Sequence, residues 1–211
     1  MTTRTNRRSY DARQEIIDAI LASHTTSRIL KKKPDIKRYL QQYFVNVPYE
    51  DLAGRDAEIM ARVALDHLEF GATRKRGEAL LRIFNANEKE HGYKSAFTFV
   101  EMVNDDMPFL VDSVAAAINQ QDLAVHITVH PIVSVKRDND GKLTAVTAPD
   151  DADAYSESFI RFAISRTADE KVIKALHKVI VKTLSDVRVA VRDWGKMRQR
   201  MRETRDLIEN G

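Results

Sequence analysis

The residues best suited to chemistry in this 211-residue chain stand at one point, Asn104-Asp105-Asp106-Met107-Pro108, where one apolar run ends and another opens. An amide and two carboxylates can accept an ammonium or a guanidinium. If a helix starts beside them, its free N–H groups can take the anionic end of the same molecule. Asp112 and Ser113 fall in the first turns of such a helix, so the candidate effector-binding set is Asn104, Asp105, Asp106, Met107, Asp112 and Ser113. An amino acid, charged at both ends, suits it. The plainer role for the same acids is to cap the helix and favour its dipole, and spacing alone leaves both roles open.

Elsewhere the chemistry thins out. His126 and His130 flank Thr128 on one side of a strand-like segment, but four residues of strand span about 13 Å, too far for two imidazoles to share an ion. They are expected to pack or to face solvent. The absence of cysteine excludes a disulfide, a thiol nucleophile and Cys-ligated zinc. Gly54, Gly71, Gly77, Gly92, Gly141, Gly195 and Gly211 form no G-x-G-x-x-G, no phosphate loop and no G-x-S-x-G elbow. No catalytic residue, metal or cofactor is therefore expected within the chain. Lys31 to Lys33 and Thr73-Arg74-Lys75-Arg76 are basic clusters without an aromatic stacking platform, and are expected in solvated loops rather than on nucleic acid. With 34 Lys+Arg against 31 Asp+Glu, both signs interspersed, the net charge of +3 gives no field for a polyanion. With a polar, basic start that lacks an apolar core, and no membrane-length apolar run, the chain is expected to be cytoplasmic.

The elements that must position the Asn104 region follow from period. Residues 1–9 read as a disordered basic tail and 10–76 as a helical segment, with Ile16, Ile17, Ile20 and Leu21 at helical spacing. A second stripe, Ile36, Leu40 and Tyr43, opens at Pro34 and stops at Val47-Pro48. A third helix runs from about Asp56 to Phe70 and ends at Gly71. Then the period changes to two. Ala79 to Phe84 and Phe97 to Val103 form a hairpin, and Pro108 to Gln121 is a helix with Leu110, Val111, Val114 and Ile118 on one face. Val125 to Val135 alternates as the clearest strand and ends at the turn Asp138-Asn139-Asp140-Gly141. Phe159 to Ile164 is the last strand. From Asp169 a three-four spacing supports one long helix, residues 169–211, although Val187 to Val191 alone also reads as a strand.

The order β-β-α-β-β-α over residues 77–168 differs from the ferredoxin-like β-α-β-β-α-β in its first strand, which fills the slot of the missing last one. The expected fold class is α+β, a permuted ferredoxin-like antiparallel sheet between helical additions. The long terminal helix would leave the seam of Val187, Trp194, Met197 and Met201 open to water. Self-association into a homo-oligomer, most simply a dimer, is the expected remedy.

The run Asn104 to Ser113, NDDMPFLVDS, together with Leu81 to Asn85, His130-Pro131, Asp186-Val187-Arg188 and Asp193-Trp194, resembles the amino-terminal ACT-like region of the large-subunit bacterial NAD-specific glutamate dehydrogenases. The resemblance covers roughly residues 51–201. It implies an ACT-like regulatory piece of an enzyme that oxidises L-glutamate with NAD to 2-oxoglutarate and ammonium, the dehydrogenase domain lying downstream. NAD belongs to that implied parent. A small effector and the parent's other domains are the partners implied, and a ligand-free assembly module is the alternative role.

Overall fold

The computed structural model describes residues 2–30 and 35–209, so Lys31 to Lys33 and Pro34 lie outside the described residues. In chain order the elements are α1 (Thr2–Ala22), α2 (His24–Leu30), α3 (Ile36–Phe44), α4 (Tyr49–Leu52), α5 (Ala57–Phe70), β1 (Leu80–Asn85), α6 (Glu88–His91), β2 (Thr98–Asp105), α7 (Leu110–Asn119), β3 (Val125–Val129), β4 (Ile132–Arg137), β5 (Leu143–Val146), β6 (Tyr155–Ile164) and α8 (Glu170–Glu209). Helix α1 runs through the stretch read as a tail. Helix α5 is bounded as its sequence dictates: the Asp56 carboxylate accepts from the N–H groups of Glu58 and Ile59, and Gly71 follows Phe70. Gly71 is required by space, since a Cβ there would sit 2.8 Å from the Phe159 ring.

All strand pairs are antiparallel, in the order β1-β2-β6-β4-β5 with β3 also on β6. β1 lies beside β2 in the slot of the missing last strand, so the sheet has the expected permuted ferredoxin-like topology. β3 and β4 were expected as one strand, and β4 does continue the register of β3 along β6. The break falls at Pro131, which accepts from Phe159 N–H through its carbonyl but has no N–H to return. Beyond the helical segment, two short elements were not foreseen. The Asn87 side chain caps α6 between β1 and β2, and Gly92 ends it at φ 74°. Leu143–Val146, to which no element was assigned, pairs with β4 as an edge strand beyond the turn at Asp138 to Gly141.

Helices cover both faces of the sheet. On one side Leu110, Val114 and Ile118 of α7 and Leu176, Ile180 and Leu184 of α8 close over Val100, Met102, Ile160, Phe162 and Ile164. On the other, Ile17, Ile20, Tyr39, Leu40, Tyr43 and Leu68 from α1, α3 and α5 close over Val103, Val133, Val135 and Phe159. Gln42 stitches this second layer down, donating to the Thr147 carbonyl at 2.7 Å and accepting from Ser134 N–H at 2.9 Å. Residues 187–191 are helical, within the 40 residues of α8. Val187, expected to face water, is 7% exposed, because it still lies over the sheet and joins the core there. Farther out Met197 and Met201 are 57% and 69% exposed. The side chain of Trp194 lies outside the described residues.

Candidate site at the strand-to-helix junction

β2 delivers Asn104 and Asp105 at its end, and Asp106 extends the ladder by donating its N–H to the Ser156 carbonyl. The chain then turns through Met107 and Pro108. Helix α7 begins at Leu110, two residues later than expected, because Phe109 adopts a left-handed conformation at φ 71°. That conformation is unfavourable for a bulky residue, and Phe109 is 56% exposed, so no apolar burial offsets it. No side chain caps the start of α7.

The six candidate residues separate into two groups. Asn104 is fully buried and turns toward α8, its Oδ1 accepting from Arg188 at 2.5 Å, while its Nδ2 has no partner among the described residues. The Asp105 carboxylate turns toward β1's approach, accepting from Arg74 at 2.8 Å and from Gly77 N–H at 2.9 Å. Neither side chain caps α7. Asp106, Met107 and Asp112 line an open hollow of about 300 Å³ whose other walls are Pro108, Phe109, Leu110, Val111 and His130. Ser113 is half-buried in the next turn, its N–H closing the first helical bond onto the Phe109 carbonyl.

His130, weighed in the sequence only as a metal partner of His126, is a member of this hollow. The Ser158 hydroxyl donates to Asp106 at 2.6 Å, so it accepts from His130 Nε2, 3.0 Å away. Burial holds His130 below its ordinary pKa against the pull of Asp106. This relay requires a proton on Nε2, and the lowered pKa favours the neutral ring that carries it there. His126 belongs elsewhere, with its Nε2 on Ser165 Oγ and its ring against Phe97.

The basic run at Thr73 to Arg76 corrects the expectation of a solvated loop. Lys75 and Arg76 are exposed, but Arg74 is 1% exposed because Asp105 and the fully buried Glu157 draw it in. Arg137 holds both oxygens of the same Glu157, each at 2.7 Å. This cluster anchors the end of β2 from below. A second buried cluster lies higher on the same face: Glu101 pairs with Arg82 and Arg161, Arg82 also meets Asp66, and the Tyr93 hydroxyl accepts from Arg161. Among the described residues no group of three His, Cys, Asp or Glu gathers for a metal, and no helix is long and apolar enough to cross a membrane.

Residues 39–180 match the family described as glutamate dehydrogenase, ACT1 domain. The chain is similar to the NAD-specific glutamate dehydrogenase of Halomonas elongata, at 29% identity over 192 residues. A similar match, 28% identical over 192 residues, is to the NAD-specific glutamate dehydrogenase of Pseudomonas aeruginosa. Each alignment covers 90% of this chain and 12% of the relative, so the chain spans about an eighth of the curated relatives it matches.

Proposed function

Because the chain belongs to the family of glutamate dehydrogenase ACT1 domains, we propose that it is a regulatory module of a cytoplasmic NAD-specific glutamate dehydrogenase, the oxidation of L-glutamate being carried out by other domains. It binds a small effector, an amino acid by its chemistry, in the hollow at the β2–α7 junction. The observation that carries this reading is the uncapped start of α7 above that hollow, with Asp106 and Asp112 on its walls. Free N–H groups there suit a carboxylate and the two acids suit an ammonium. Regulation then requires only that the effector prefer one of two arrangements of the parent enzyme.

Thermal shift and calorimetry with a panel of amino acids test it. A saturating effector at one hundred times its Kd should raise stability by about 2.7 kcal/mol, and Asp112→Ala should weaken that effect. A flat response across the panel rejects effector sensing. The exposure of Met197 and Met201 on a helix about 60 Å long favours a second role, joining subunits or neighbouring domains. Sedimentation at several concentrations tests that role, and a monomer that persists at high concentration rejects self-association.

A further inference from the structure

A separate cleft opens on the opposite face of the sheet, where α3, α4 and α5 meet β2, β3 and β6. It holds about 290 Å³ and shares no lining residue with the junction hollow. Its walls are apolar, Phe44, Leu52 and Met60 from the helical side and Phe99, Ile127 and Ala163 from the sheet. Arg161 also lines it.

That guanidinium is unusual in its surroundings. Arg161 is 6% exposed and its Cζ lies 3.7 Å from the centroid of the Phe99 ring. One N–H goes to Glu101 and one to the Tyr93 hydroxyl. A guanidinium has five N–H groups, so three have no acceptor among the described residues. Unlike the Nε of Arg74, no Arg161 nitrogen is both buried and without a partner, and Arg161 lines the open cleft, where a further acceptor can reach it. The same fold shows how a second carboxylate is accommodated: Arg74, equally buried, is shared by Asp105 and Glu157. Lys94, also in the lining, is exposed and forms no ion pair among the described residues, whereas Asp56 is committed to the cap of α5. Arg55 donates to the Asp51 carbonyl, and the Asp51 carboxylate forms no ion pair among the described residues.

We infer that this cleft binds a small apolar carboxylate, its acid group set against Arg161 and Lys94 and its hydrocarbon against the Phe44, Met60 and Ile127 walls. The inference goes beyond the effector reading of the junction and stands apart from it. Two sources share the chemistry, an apolar amino acid and a simple branched or aromatic acid. Asp51 on the rim separates them, since only the first carries an ammonium for it to meet.

The test is a titration of the full chain carrying ¹³C-methyl methionine and isoleucine with 4-methylpentanoate, with leucine, and with 4-methylpentanamide. Saturable shifts at Met60, Ile59 and Ile127 are expected for the acids, with Met107 of the junction hollow unmoved. Removing the charge should cost the amide about tenfold or more in affinity, as expected for a charge-assisted hydrogen bond. Lys94→Glu, at an exposed position, should weaken the acids several-fold and leave the spectrum of the free protein intact. Tighter binding of leucine than of 4-methylpentanoate identifies the amino acid as the preferred source, and the reverse identifies the simple acid. Shifts at Met107 alone would overturn the proposal while supporting the junction site. Equal affinity for acid and amide, or no shift at Met60 and Ile127, would overturn it outright.

Discussion

His67 supplies a pH dependence that can be worked out in advance. Its ring is fully buried between α5 and the sheet, taking a hydrogen bond from the Tyr43 hydroxyl at Nδ1 and giving one to the Met102 carbonyl from Nε2. Both partners are satisfied only by the neutral ring. Burial lowers its pKa from the ordinary 6.5 to about 4, with Arg161 and Arg82 pressing the same way and Glu101 against them. The sign follows from which state binds the proton. Above pH 6.5 neither folded nor unfolded chain protonates this ring, and its contribution to stability is complete. Between 6.5 and about 4 the unfolded chain takes up the proton and the folded one resists, so stability falls as the pH falls. Below about 4 the loss is complete. The shift corresponds to a loss on the order of 3 kcal/mol, a large part of a typical domain's stability.

Urea unfolding at closely spaced pH values from 7.5 down to 4 measures the slope, and His67→Gln provides the comparison. Glutamine keeps a polar group but cannot titrate. The variant should be weaker by about 1–3 kcal/mol at neutral pH, since the fit to Tyr43 and Met102 is lost. Its stability should also be much flatter between pH 6.5 and 4. His130, depressed in the same direction, titrates in both proteins and cancels from the difference. Glu101, held below its ordinary 4.5 by His67, Arg161 and Arg82 against its own burial, adds a loss only at the acid end of that window, so the slope between pH 6.5 and 5.5 is the part that isolates His67. Parallel curves for the two proteins across that window would refute the assignment to His67.

Three further outcomes can be checked on the same instruments. Glu157→Gln leaves buried Arg137 without an acid among the described residues and Arg74 with Asp105 alone, and should cost about 3–5 kcal/mol in chemical denaturation. Gly141→Ala places a Cβ 2.6 Å from the Arg74 carbonyl oxygen at a φ of 83°, so it should be destabilised by more than the ~1 kcal/mol of an ordinary left-handed substitution, with a lowered Tm. Phe109→Gly relieves the left-handed strain at an exposed position, and should leave stability unchanged or raise it by up to ~1 kcal/mol; a loss of more than that would show that the aromatic ring is buried in solution.

What could be read in advance from the sequence, and what could not, divides along a physical line. Helix and strand are set by the spacing of apolar side chains within a dozen residues, so Ile36, Leu40 and Tyr43, or Ile160, Phe162 and Ile164, announce their elements unaided. The hairpin of β1 and β2 and the long α8 were legible for the same reason. The four-residue α6 and β5 were not, because each is too short to show a period. At the candidate site, the run Asn104 to Ser113 marked the strand-to-helix junction. What Asn104 and Asp105 bind there depends on Arg188 and Arg74, 84 and 31 residues away, and no local pattern reports such a pairing.

The charged positions of β2 and β6 show the limit most clearly. Phe99, Glu101, Val103 and Asp105 share one face of β2, and Glu157, Phe159, Arg161 and Ala163 share the matching face of β6. Alternation alone assigns Glu101, Arg161 and Glu157 to water, as in a sheet packed on one side only. The three lie within 6% exposure because α1, α3 and α5 close over that face as well. Such a face folds only if its charges are matched before they are covered. The register supplies the matching, setting Glu101 of β2 directly opposite Arg161 of β6, with Arg82 of β1 on its other side. The acids and bases thus cancel within the sheet, and what the helices bury is a pattern already neutral. Of these charged residues Arg161 is the one that also lines the open cleft.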